Sequence, residues 1–177
     1  MAIQTNWYVI TGGPCSGKTK TKEYLAFLGY HTVPETARIL IDNEMSKGRT
    51  MEEIRANDGE FQRAIFQMKI DVENKIPVDK IIFFDRGIPD SIPFYKMCVP
   101  PLDITPVIEA SQKRRYKKIF LLEQLPYEKD YARIDSEERA NKLSQLIYGS
   151  YSSLGYEIVF VSVKPIDKRI EYILSRL

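Results

Sequence analysis

One histidine, two cysteines and one tryptophan are all that 177 residues contain of these types, and no apolar run is long enough to cross a bilayer. With His31 alone and Cys15 far from Cys98, the sequence suggests neither a zinc site nor a disulfide framework. A reducing compartment follows as the expectation, and with it the cytoplasm. Residues 1–6 lack the basic-then-apolar order of a signal peptide. Charge of one sign is also missing. The 26 Lys and Arg against 24 Asp and Glu leave +2, too balanced for nucleic acid or an anionic membrane as the main partner.

A 44% hydrophobic chain of this length can bury one ordinary α/β core, so a single domain over 1–177 is expected. Runs rich in β-branched and aromatic residues predict five strands, at Trp7 to Thr11, His31 to Pro34, Lys80 to Asp85, Lys117 to Leu122 and Glu157 to Val163. The third and fifth are almost continuously apolar, as parallel strands buried on both faces are. Helical spacing predicts helices over Gly17 to Leu28, Thr36 to Lys47, Asp58 to Asn74, Asp90 to Met97, Pro106 to Gln112, Ser136 to Leu154 and Pro165 to Leu177. Asp58 and Ser136 have the chemistry of N-caps. The polar stretches Met45 to Asn57 and Gln124 to Asp135 carry no strong period and are expected to be mobile. Strands alternating with crossover helices give a doubly wound α/β layered sandwich around a parallel sheet.

Gly12-Gly13-Pro14-Cys15-Ser16-Gly17-Lys18-Thr19 matches the phosphate-loop pattern G-x-x-x-x-G-K-[ST] in full, between a strand and a helix. Glycines let the backbone turn its N–H groups toward phosphate oxygens, and the helix N-terminus faces the same point. Lys18 supplies charge for the β- and γ-phosphates of ATP or GTP, and the Thr19 hydroxyl is a ligand for Mg²⁺. Asp85 ends the third strand, at the sheet edge where open α/β folds place their ligand crevice, within reach of the same metal. Arg86 beside it can bind a phosphate, or form a surface salt bridge. Glu35, at the matching edge of the second strand, is either a carboxylate that orients an attacking hydroxyl or a helix-terminal acid. Arg38, one turn on, shares that ambiguity. Arg133 and Arg139 flank an acidic stretch and are candidates to close over the nucleotide. The basic run Lys113 to Lys118 reads as a solvated helix end rather than a nucleic-acid patch.

With the phosphate loop, Pro34-Glu35-Thr36-Ala37-Arg38, Phe61-Gln62-Arg63, Asp85 to Asp90, Arg133 to Arg139 and Tyr151 to Tyr156, nearly the whole chain resembles an AAA-type ATPase domain family. That family groups the kinase domain of the bacterial NAD regulator with the TRP-like channel translocation-defect protein. The resemblance implies a nucleoside-kinase-like P-loop NTPase with strand order 2-3-1-4-5 and a lid after the fourth strand. It also implies that Glu35 is the base and that Gln62 or Gln67 reads the acceptor. After Asp85-Arg86 the chain runs Gly-Ile-Pro-Asp, unlike the familiar nucleoside and nucleotide kinases, so their acceptor does not carry over. Two readings follow. One is a kinase that uses ATP or GTP with Mg²⁺ and phosphorylates a nucleoside-like small molecule, as a monomer or homodimer. The other is a nucleotide-dependent switch or regulatory module, although the guanine-selecting Asn-Lys-x-Asp string of Ras-like switches is absent.

Overall fold

The five expected strands reappear in the computed structural model, which describes residues 2–125 and 137–177; Trp7 to Thr11 keeps its expected bounds and the other four are shorter by one to three residues. The first half of the chain forms β1 (Ile3–Gln4), β2 (Trp7–Thr11), α1 (Lys18–Phe27), β3 (His31–Val33), α2 (Thr36–Ser46), α3 (Met51–Arg55) and α4 (Asp58–Lys75). There follow β4 (Ile82–Asp85), a 3-10 turn at Ile88–Asp90, α5 (Ser91–Met97), α6 (Thr105–Lys113), β5 (Arg114–Arg115) and β6 (Lys118–Leu122). The last described elements are α7 (Glu137–Ser153), β7 (Ile158–Val161) and α8 (Ile166–Leu174).

The main sheet runs β3-β4-β2-β6-β7, parallel throughout. Counted within that sheet alone, this is the order 2-3-1-4-5. β1 and β5 form a separate two-stranded parallel ribbon that the sequence did not suggest, because two residues are too few to show a period.

β2 lies at the centre and is buried along its whole length. Its odd residues Trp7 and Val9 join Phe84, Ile119 and Leu121 against Leu143, Ile147 and Tyr151 of α7. Its even residues Tyr8 and Ile10 join Phe83, Phe120 and Leu122 against Leu25 of α1 and Ile170 and Ile173 of α8. The two-residue period of a strand thus feeds two cores, and each such side chain fully buried contributes about 1.5–3 kcal/mol. β4 is buried at all four positions, as expected, but β7 is not. It forms a sheet edge, and Phe160 is 61% exposed beside Tyr148 of α7.

Residues 45–57 are not the featureless stretch expected. Thr50 and Glu53 form a capping box that starts α3, and Ile54 packs with Ile41, Phe61 and Ile65. The cap of α4 is Asn57 rather than Asp58: Asn57 has non-helical backbone and its Oδ1 accepts the Glu60 N–H at 3.1 Å. Asp58 is already in the first turn, ion-paired to Arg55 at 2.9 Å. Ser136, and most of Gln124 to Asp135, lie outside the described residues.

Candidate functional site

The chain leaves β2 at Thr11 and makes the phosphate loop before α1 begins at Lys18. Gly12 has φ 141°, and a Cβ there would stand 2.6 Å from the Leu122 carbonyl oxygen, so only glycine fits. Cys15 takes φ 59° although it carries a side chain. Its carbonyl accepts the Leu125 N–H at 2.9 Å, which ties the loop to the segment after β6. Ser16 Oγ donates to the Gly13 carbonyl at 2.9 Å. Lys18 Nζ donates to the Gly13 carbonyl at 2.7 Å and to the Gly12 carbonyl and Ser16 Oγ at 3.2 Å each. Burial, with the Arg86 cation adding to it, pulls the Lys18 pKa down to about 8.

Pro14 through Thr19 form one wall of a cavity of about 640 Å³, a volume ordinary for small-ligand sites. The opposite wall comes from Glu35 and Arg38 at the start of α2, and from Phe61, Gln62, Ile65 and Lys69 on one face of α4. Arg86, Phe94 of α5 and Arg139 of α7 complete it. Gln62 is buried in this wall, whereas Gln67 is exposed and donates to Asp71 at 2.9 Å.

Glu35 occupies the N-cap position of α2 but makes no capping bond with its side chain. Its Oε1 accepts from Arg86 Nε at 2.8 Å instead. Burial alone would raise this carboxyl, but Arg86 and Lys18 outweigh it and bring the pKa down to about 2. Arg86 is 7% exposed and has φ 70°, a left-handed conformation that costs on the order of 1–2 kcal/mol for a residue with a Cβ. Burial disfavours its charge, yet Glu35, Asp90 and Asp85 around it hold the guanidinium protonated. Asp90, fully buried, anchors the other side of this arginine. Its Oδ1 accepts from Arg86 Nη1 at 3.2 Å and from the Thr11 hydroxyl at 2.5 Å. Its Oδ2 accepts from the Tyr151 hydroxyl at 2.5 Å and the Gly87 N–H at 2.9 Å.

Asp85 is buried behind the loop and is not among the residues that line the cavity. Its Oδ1 has no hydrogen-bond partner among the described residues, and burial, reinforced by the Glu35 carboxylate, pushes its pKa up to about 6. Thr19 is exposed to the cavity in the first turn of α1. Arg133 lies outside the described residues.

Lys69, Asp90 and Tyr151 were not singled out as site residues from the sequence. Lys69 could have been: it follows Gln62 and Ile65 at helical spacing on one face of α4, and its Nζ donates to the Gly87 carbonyl at 2.9 Å. Asp90 and Tyr151 are 61 residues apart, and no local pattern announces their bond. The basic run divides: Lys113 and Lys117 are exposed, and the other three cations have internal partners. Arg115 donates to the carbonyls of Leu154 at 2.7 Å and Gly155 at 3.1 Å, Lys118 donates to that of Arg176 at 2.5 Å, and Arg114 lies over the Trp7 ring.

A family model described as an AAA domain matches residues 7–169, which takes in the loop, the cavity walls and the whole main sheet. The chain belongs to this AAA domain family. No curated protein matches this AAA domain chain in sequence. Among solved structures it is similar to deoxyadenosine kinase from M. mycoides with dCMP and dCDP bound, with TM-score 0.65 and 16% identity over 96% of this chain and 97% of that one. It is also similar to the NadR protein in complex with NAD and AMP-PNP, with TM-score 0.71 and 14% identity over 97% of this chain. The AAA domain chain spans 49% of that NadR chain. A third likeness is to the YorR protein of Bacillus subtilis, with TM-score 0.59, 13% identity, and 96% and 94% of the two chains covered. The fold of this AAA domain is therefore that of the nucleoside-kinase-like P-loop proteins, a nucleotide-binding fold. Among the described residues no helix is long and apolar enough to cross a membrane.

Proposed function

We propose that the chain is a Mg²⁺-dependent phosphotransferase that moves the γ-phosphate of ATP or GTP onto a hydroxyl of a nucleoside-like small molecule. One observation carries the reading. A phosphate loop and an ionised carboxylate, Glu35, face one cavity whose far wall is part aromatic and part polar. A bare NTPase has no need of that second wall.

In this reading the loop N–H groups and Lys18 bind the donor phosphates, and Arg139, with Arg133, adds charge near the departing diphosphate. Glu35 accepts a hydrogen bond from the acceptor hydroxyl and aligns its oxygen with the γ-phosphorus. The new bond forms from that oxygen to phosphorus, the bond to the β-phosphate oxygen breaks, and the hydroxyl proton passes to Glu35. A carboxylate with a pKa near 2 is a weak base, so its main contribution is orientation. Arg86 fixes the carboxylate, while Gln62, Phe61 and Phe94 take the flat part of the acceptor and Arg38 borders it.

Thr19 and Asp85 suit Mg²⁺, a hard cation that prefers oxygen ligands and keeps several waters. The unpartnered Asp85 Oδ1 fits a water of such an ion, and the Thr19 hydroxyl fits a direct ligand. When bound, the ion would neutralise charge on the β- and γ-phosphates.

The test separates binding from transfer. Glu35→Gln should retain triphosphate affinity within a few-fold and lose at least 100-fold in phosphate transfer, whereas Lys18→Ala should lose both. Loss of triphosphate binding in Glu35→Gln comparable to that in Lys18→Ala would contradict the role given to Glu35.

A further inference from the structure

Arg169, on α8, is 4% exposed, and among the described residues no carboxylate pairs with it. Arg86, buried to a similar degree, has Glu35, Asp85 and Asp90 around it. Burial alone acts on Arg169 and draws its pKa below the ordinary arginine value. Its Nη1 donates to the Ser16 carbonyl at 3.2 Å and to the Thr21 hydroxyl at 3.4 Å, and its Nε has no partner among the described residues. A buried cation without a counter-charge is costly, so something must offset it.

Its position says what. A Cβ on Gly17 would stand 2.5 Å from Arg169 Nη1 and 3.6 Å from its Cζ, so the guanidinium meets the loop backbone at Gly17 with its Nη1 end. Gly17 itself lines the ligand cavity, whereas Arg169 is not among the lining residues. The guanidinium therefore touches, from outside that cavity, the loop whose backbone would hold the phosphates. The bond to the Ser16 carbonyl also fixes the peptide plane that carries the Gly17 N–H, one of the groups that a phosphate loop aims at its ligand.

We propose that Arg169 is a positioning residue for the donor triphosphate: from behind the loop it sets the Ser16–Gly17 peptide and takes the phosphates as the counter-charge the protein does not supply. This rests on the reading of the loop as a triphosphate site. It assigns to the last helix a part in donor binding, and it gives a reason for glycine at position 17 beyond its φ of 78°.

A structural strut and a ligand-directed charge predict opposite signs. Arg169→Met keeps the length of the side chain and removes the charge. We expect the unliganded melting temperature to stay level or rise, and affinity for fluorescent ATP and GTP analogues with Mg²⁺ to fall about tenfold or more. Adenosine and guanosine affinities should change by less than twofold. Arg169→Lys, which keeps charge but not the two-point geometry, should fall between, and it serves if the Met variant does not fold. A lower melting temperature with triphosphate affinity within twofold of wild type would overturn the inference and leave Arg169 as a strut. Wild-type protein that binds neither triphosphate would overturn the loop reading itself, and this inference with it.

Discussion

Arg86 holds a left-handed backbone that a side-chain-bearing residue adopts only when its surroundings compel it, and the compulsion is visible: Glu35 grips one edge of the guanidinium and Asp90 another. The strained residue lines the cavity. At this scale the sequence disclosed the charges but not their partners. The phosphate loop was legible because its eight residues are contiguous and each has a local reason. The choice between Gln62 and Gln67 was not, since it depends on how α4 is rotated against a distant loop. With an acceptor in hand, Gln62→Leu should raise its KM about tenfold with kcat nearly unchanged, and Gln67→Leu should leave both alone. Steady-state kinetics of the two variants check this, and equal effects would remove Gln62 from the acceptor wall.

Among the elements, α4 contributes four residues to the far wall of the cavity and α3 adds Arg55, and both helices start on capping side chains. Asn57→Ala removes the acceptor for the Glu60 N–H and should cost about 1 kcal/mol of stability, read as a shift in the urea midpoint; Asp58→Ala should not reproduce it through capping. The main strands and most helices could be read from periodicity because each is long enough to show one. Three features were hidden for lack of length or locality. α3 spans 5 residues, β1 and β5 span 2 each, and the exposure of β7 follows from its place at the sheet edge, which no local apolar run reveals. The pair Thr50 and Glu53 was the readable sign of α3, a capping box within a stretch otherwise read as mobile.

For the molecule as a whole, the sheet core and the far wall of the cavity are joined by buried polar groups, and these give stability a pH dependence. Burial raises the Glu73 carboxyl to about 7, against the pull of its hydrogen bond from Tyr116 and of Arg114 and Lys69. Its folded pKa lies above the unfolded value, so its contribution is complete below about pH 4.5 and is lost as pH rises through 7. Glu73→Gln keeps an acceptor for Tyr116 and cannot ionise. Stabilities of variant and wild type, read from urea midpoints, should coincide near pH 4.5 and separate by pH 8, the variant the more stable by on the order of 3 kcal/mol. Curves that stay parallel across that range would show that Glu73 titrates normally. The central claim, phosphate transfer within the 640 Å³ cavity, is tested most directly by incubating the wild-type protein with γ-labelled ATP or GTP, Mg²⁺ and a panel of nucleosides, nicotinamide riboside and simple sugars. The account predicts a labelled, phosphorylated nucleoside-like product that vanishes in Lys18→Ala. Tight triphosphate binding with no labelled acceptor, and only slow release of phosphate, would contradict it and favour a nucleotide-dependent switch.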